Sequence, residues 1–209
     1  MKKNYIALLY SFIEKKYTKA LIEEYNAFGF SGGTITEGNG AATSFLWRMM
    51  GFEGPERTVL LNLIDEDMLV SFLENKKIFE KSIHFQSALV PLNKDTVSLV
   101  LKKEGIVEEN LCVVEVICNK GFALEVMEKA RLLGAPGGTI LEGRGTAREE
   151  DEVFFGNKLV KEKELVLIIA EKDTADKVVK GIEDFLSSKE DGAGIVFTLP
   201  VSYFSKTSK

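Results

Sequence analysis

The stretch SGGTITEGNGAA at residues 31–42 returns as PGGTILEGRGTA at residues 136–147, so Gly32 and Gly137, and Gly40 and Gly145, each stand 105 positions apart. This duplication constrains the chain more than any other feature. Two halves of a 209-residue chain that share a punctuated segment must each fold in about 100 residues, a common domain size.

The repeat extends beyond its glycines. YIALLYSF (5–12) aligns with NLCVVEVI (110–117), both apolar runs of strand-forming residues. YTKALIEEYNAFGF (17–30) aligns with FALEVMEKARLLGA (122–135), where Ala123, Val126, Met127, Ala130 and Leu133 recur at helical spacing and Gly134 provides a stop. After the glycine strand and a variable loop come the apolar runs TVLLNLID (58–65) and ELVLIIAEKD (164–173), then the amphipathic segments EDMLVSFLENKK and DTADKVVKGIEDFLSS. Each copy closes on a proline-bearing strand, FQSALVPL (85–92) or GIVFTLPV (194–201).

The element order strand–helix–strand–strand–helix–strand, twice, predicts an α+β chain of two tandem ferredoxin-like (βαββαβ) units. We place the first, more divergent unit at 1–95, a connector at 96–107 and the second unit at 108–209. The segment 93–110 around the connector reads equally as a helix or an added strand. A two-layer unit covers one sheet face with helices and leaves the other apolar, so a homo-oligomer is expected.

Composition removes several function classes. No apolar run reaches the length of a membrane span, and the start MKKNYIALLYSFIEKK reads as a strand because its apolar run is short and broken by Asn4 and Ser11. Residues 1–105 hold 13 basic and 13 acidic side chains and the remainder 14 and 19. With the whole acidic excess in the second half and no basic stripe, general nucleic-acid binding is disfavoured. Cys112 and Cys118 lie six residues apart on one strand, roughly 20 Å, beyond disulfide reach. They read as buried apolar residues of a reducing cytoplasm. One histidine, His84, gives no metal-ligand cluster and no Ser-His-Asp or Cys-His set, and no Walker motif occurs. The run Glu149–Glu152 lacks the spacing of a calcium loop. An enzyme is not expected.

GAPGGTILEGRGTA, the loop after it, KEKELVLIIAEKD and GAGIVFTLPV together resemble the nitrogen-regulatory PII signalling family and its PII-like relatives. The likeness covers the second copy nearly end to end and the first more weakly. It implies a threefold or pseudo-threefold arrangement of ferredoxin-like units. It also implies an adenine nucleotide, ATP or ADP, or another small anion between units, and a long loop that touches a target protein. Carried onto this sequence, Gly145 and Arg148 stand at the loop base, Lys161 follows the loop, and Gly192 and Gly194 form the turn before the last strand. The family's Gly-Asp-Gly-Lys turn reads Gly192-Ala193-Gly194-Ile195 here, and its Arg-x-Arg segment after the last strand is absent. In the first copy Thr43 replaces the loop-base arginine and the last strand has no glycine turn.

The copies differ most in the loop after the glycine strand: TSFLWRMMGFEGPER (43–57) is aromatic and methionine-rich, REEDEVFFGNKLVKEK (148–163) is charged at both ends. Adaptable apolar side chains suit protein contact, within the assembly or with an external partner, which makes Trp47, Met49, Met50, Phe154 and Phe155 the candidate partner-binding residues. The resulting expectation is a cytoplasmic PII-like sensor that binds a small anion and regulates a partner protein. The alternative is a ligand-free oligomeric scaffold.

Overall fold

The computed structural model describes residues 4–27, 29–30, 32–41, 54–82, 85–145, 153–154, 157–158, 162–189 and 193–206. In chain order the elements are β1 (Ala7–Glu14), a 3-10 turn (Lys15–Tyr17), α1 (Thr18–Ala27), β2 (Thr34–Gly40), β3 (Glu56–Ile64), α2 (Glu66–Ser82), β4 (Phe85–Pro91) and α3 (Lys94–Lys103). Then follow β5 (Leu111–Asn119), α4 (Ala123–Leu132), β6 (Thr139–Arg144), the short β7 (Val153–Phe154) and β8 (Asn157–Lys158), β9 (Glu162–Glu171), α5 (Lys172–Ser187), β10 (Gly194–Val201) and β11 (Tyr203–Lys206). The βαββαβ order occurs twice, in two ferredoxin-like units. Their compact bodies exchange two segments relative to the linear halves. One comprises Met1–Glu37, Glu56–Leu111 and Pro200–Lys209, the other Gly38–Pro55 and Cys112–Leu199.

In the first unit the strands run in the order β2-β3-β1-β4-β11. β1 is antiparallel to both neighbours, with Ser11 opposite Leu60 on one side and Ser87 on the other. Leu9 and Ile13 of β1 join Leu21 and Tyr25 of α1 and Leu69, Phe72 and Leu73 of α2 in one apolar core. Tyr25 stacks on Phe30 at 4.6 Å, and its hydroxyl lies 2.7 Å from Ser11 Oγ. Burial pushes this phenol's pKa well above its ordinary value. The connector resolves as helix α3, started by Asn93, whose side chain accepts from Thr96 N at 3.1 Å. It drives Val97, Val100 and Leu101 into the same core. Strand β11 adds to the outside of β4, Tyr203 opposite Leu89.

In the second unit the order is β10-β5-β9-β6, the same permutation, with β6 antiparallel to β9 from Thr139↔Leu167 to Arg144↔Glu162. Ala123, Val126, Met127 and Ala130 of α4 face inward as their spacing predicts, as do Ala175, Val178, Ile182 and Leu186 of α5. Both helices bury Val114, Val116, Cys118, Val166 and Ile168 of the sheet. Helix α4 ends at Gly134 with φ 99°, and Ala135 N returns to Ala130 O at 3.0 Å. Both cysteines are free and buried. Pro200 sits near the end of β10, an outermost strand, where a missing N–H costs no ladder bond.

One duplicated pair, Gly33 and Gly138, is explained by crowding. A Cβ on Gly138 would lie 2.7 Å from Met127 Sδ and 3.0 Å from Leu167 O, and one on Gly33 would strike the Asn62 side chain and lie 2.9 Å from Leu61 O. In both copies the glycine lets the second strand enter against the third. Other ties recur between copies with altered chemistry. Thr18 Oγ1 donates to Thr58 Oγ1 at 2.8 Å in the first. In the second, Glu164 Oε2 accepts from Gly121 N and Ala123 N, each at 2.9 Å.

Candidate functional site

In the second unit four strand ends meet at one edge of the fold: the ends of β5 and β6 and the starts of β9 and β10. Asn119 N donates to Ala193 O at 2.9 Å, Lys120 N to Glu162 O at 3.2 Å, and Arg144 is opposite Glu162. Two of the five sequence-derived ligand residues, Gly145 and Gly194, lie at this end. Gly145 follows β6 directly and is half-buried, and Gly194 opens β10. With β5 and β9 between them, three strand spacings separate the two strands, roughly 14 Å. An ion the size of phosphate cannot touch both within one unit, whereas a ligand of nucleotide length can span them.

Gly194 has a structural reason to be glycine. A Cβ there would lie 2.6 Å from Ile117 O and 3.0 Å from Cys118 Cα, so β10 closes on β5 only without a side chain. Arg148, Lys161 and Gly192 lie outside the described residues, as do Trp47, Met49, Met50 and Phe155. Phe154 is placed by its backbone alone, on β7 opposite Asn157 of β8.

The structure adds two cations to this end that the sequence did not single out. Lys163 Nζ, between the two glycine-bearing strands, donates to Asn119 Oδ1. Lys120 Nζ lies 3.3 Å from Glu162 Oε2, and the first copy repeats that pair as Lys15 and Glu56 at 3.6 Å, with Glu37 added at 2.9 Å. The pair therefore ties the loop exit in both copies, and a search for ion pairs at the 105–106 residue offset would have found it. Hydrogen bonding and charge from Glu37, with a further contribution from Glu56, raise the Lys15 pKa. These pairs are exposed and contribute little to stability.

The thiol at this end is inert. Burial, then the neighbouring Glu164 charge, pushes Cys118 up to about 12, and burial raises Cys112 as well, so neither supplies a thiolate nucleophile near neutrality. Among the described residues no cluster of three or more His, Cys, Asp or Glu side chains could hold a metal ion. No described helix is long and apolar enough to cross a membrane. The described side chains at this end offer charge and hydrogen bonding, through Lys120 with Glu162 and Lys163 with Asn119.

Residues 111–208 match the family model described as nitrogen regulatory protein P-II. Among solved structures, a CPII structure from Thiomonas intermedia K12, bound to ADP and bicarbonate, aligns at 15% identity and TM-score 0.31, covering 47% of this chain and 89% of that one. A microcompartment protein from Desulfitobacterium hafniense DCB aligns at 9% identity and TM-score 0.29, covering 96% and 97%. No match was found among curated proteins. The second copy of the chain is thus similar, over residues 111–208, to the nitrogen regulatory protein P-II family.

Proposed function

We propose that the protein is a cytoplasmic P-II-like regulator whose second copy binds a small anionic ligand, an adenine nucleotide by preference, and whose loops act on a partner protein. The observation that carries this reading is the P-II match across residues 111–208, which takes in both Gly145 and Gly194. Arg148 supplies a two-pronged donor to phosphate or carboxylate, Lys161 a point charge, and the N–H groups around Gly192 and Gly194 cup the anion. The roughly 14 Å between the glycine-bearing strands supports a nucleotide over a single ion. Trp47, Met49, Met50, Phe154 and Phe155 provide the partner surface. Assembly into a homo-oligomer places further copies beside these ends. A thermal-shift panel of ATP, ADP and carboxylate metabolites tests the reading, because a ligand that binds the native state raises its melting midpoint by mass action. A midpoint rise with a nucleotide is expected. No rise with any anion would favour the scaffold alternative.

A further inference from the structure

Just past the C-terminal end of α5, one side chain fastens that helix to the start of α4. Lys189 Nζ donates to Glu125 Oε2 at 2.9 Å and stands over two rings, 5.5 Å from the centre of Phe122 and 4.8 Å from that of Phe185. Both phenylalanines pack against the second unit's core, which fixes the rings that receive the ammonium. Phe122 is the N-cap of α4 and Glu125 lies in its first turn. The residues just before them hold the start of β10: Asn119 N donates to Ala193 O at 2.9 Å, and Phe122 N donates to Asn119 O at 3.2 Å. Lys189 and Ala193 are therefore both tied to the same short stretch, residues 119–125. Immediately beyond, Gly194 lies against Ile117 O with no room for a Cβ.

We propose that Lys189 is a positioning residue for the anion end of the second unit. Its hold on Glu125, Phe122 and Phe185 fixes where the chain approaches Ala193 and Gly194, and with it the direction of the N–H groups offered to a ligand there. A backbone already held in place leaves less ordering for the ligand to impose, and affinity rises accordingly. The ligand half of this inference rests on the function proposed above; the fixing of Ala193 and Gly194 does not. Lys189 is no ligand contact in this account, because its ammonium is engaged by the carboxylate and the two rings. Charge alone and positioning then predict opposite signs for the loss of Glu125. Removing an acidic group frees the ammonium and should tighten anion binding by charge, whereas releasing the fastening should weaken it.

ATP is titrated by calorimetry into wild type, Lys189→Met, Lys189→Arg and Glu125→Ala, and amide hydrogen exchange is measured on the same proteins without ligand. Lys189→Met and Glu125→Ala should each bind ATP about five-fold more weakly, the scale of an exposed cation–ring contact with an ion pair. Lys189→Arg, which keeps a cation for the rings and the carboxylate, should stay within about two-fold of wild type. Without ligand, the two weakened variants should exchange faster at Asn119, whose N–H holds Ala193, and at residues 193–196. Residues 178–182, in the middle of α5, should keep their wild-type rates. Wild-type affinity in Lys189→Met, or tighter binding in Glu125→Ala, overturns the proposal. Exchange that quickens equally at 178–182 also overturns it, because the fastening then serves only the unit's stability. If ATP binds none of the proteins, the nucleotide reading fails, and exchange at Asn119 and 193–196 alone decides the positioning: unchanged rates refute it and locally faster rates support it.

Discussion

Glu164 is the most informative single side chain to remove. It sits early in β9, and its Oε2 accepts from Gly121 N and Ala123 N at 2.9 Å, binding the turn after β5 and the first turn of α4 to the sheet. Phe122, at the N-cap of α4, supplies no side-chain cap, so Glu164 performs that task from another element. Hydrogen bonds to a charged group contribute about 1.5–3 kcal/mol, and a carboxylate at a helix start adds about 0.3–1 kcal/mol. The Gly121 bond is exposed, so water replaces it readily, whereas Ala123 is buried. Glu164→Ala should therefore cost about 2 kcal/mol, and Glu164→Gln, which keeps an oxygen acceptor, about half that. For a chain of this size that corresponds to a fall of roughly 4–8 °C in melting midpoint for the alanine variant. Thr58→Val removes the equivalent neutral tie to Thr18 in the first copy and should cost about 1 kcal/mol. Urea unfolding of the three variants beside wild type measures the series. A Glu164→Ala cost within about 0.5 kcal/mol, the ordinary surface range, refutes the capping role.

Three further outcomes follow. Glu115 of β5 is half-buried, and burial raises its carboxyl pKa above the ordinary 4.5. A group with a raised folded-state pKa contributes stability that is present below 4.5 and lost as pH rises through the folded value. Glu115→Gln should accordingly gain stability at neutral pH, with the gain vanishing in acid; equal unfolding midpoints at neutral pH contradict this. Asn62 is 4% exposed, its Nδ2 donates to Gly32 O at 3.0 Å, and its Oδ1 has no partner among the described residues. Ile168 holds the corresponding place in the second copy, against Gly138. Asn62→Ile should therefore be neutral to within about 1 kcal/mol, and a loss of several kcal/mol on urea unfolding shows that the amide is indispensable. Sedimentation at micromolar concentration should show species larger than the 23.2 kDa chain, and a monomer alone contradicts the oligomer.

The architecture was legible because each copy repeats its apolar runs and helical spacings. Ala123, Val126, Met127 and Ala130 face the core as their periodicity requires, and β10 spans Gly194–Val201, the run read from the sequence. What stayed hidden is non-local. SYFSK follows the last strand predicted from the sequence, yet Tyr203 enters the first unit's core and β11 pairs with β4, because an edge strand takes a partner that local propensity does not name. The connector was ambiguous because Val97, Leu99 and Leu101 fit a strand period while Val97, Val100 and Leu101 fit a helical one over so short a stretch; the Asn93 cap makes it a helix. The motif marks Gly194 as a ligand residue, and only the packing reveals that β5 also leaves no room for a Cβ there. Lys163 and Asn119 escaped notice because they meet only when β5 and β9 lie side by side.

The central claim is that an anion binds the second copy and not the first, and titration calorimetry with ATP tests it most directly. The account predicts one ATP per chain for wild type, an affinity loss of about 1.5–3 kcal/mol for Arg148→Ala, the range for a charge-assisted hydrogen bond, and wild-type affinity for Arg48→Ala, whose residue lies in the first copy's loop. Absence of heat with wild type, or the same affinity in both variants, would contradict it.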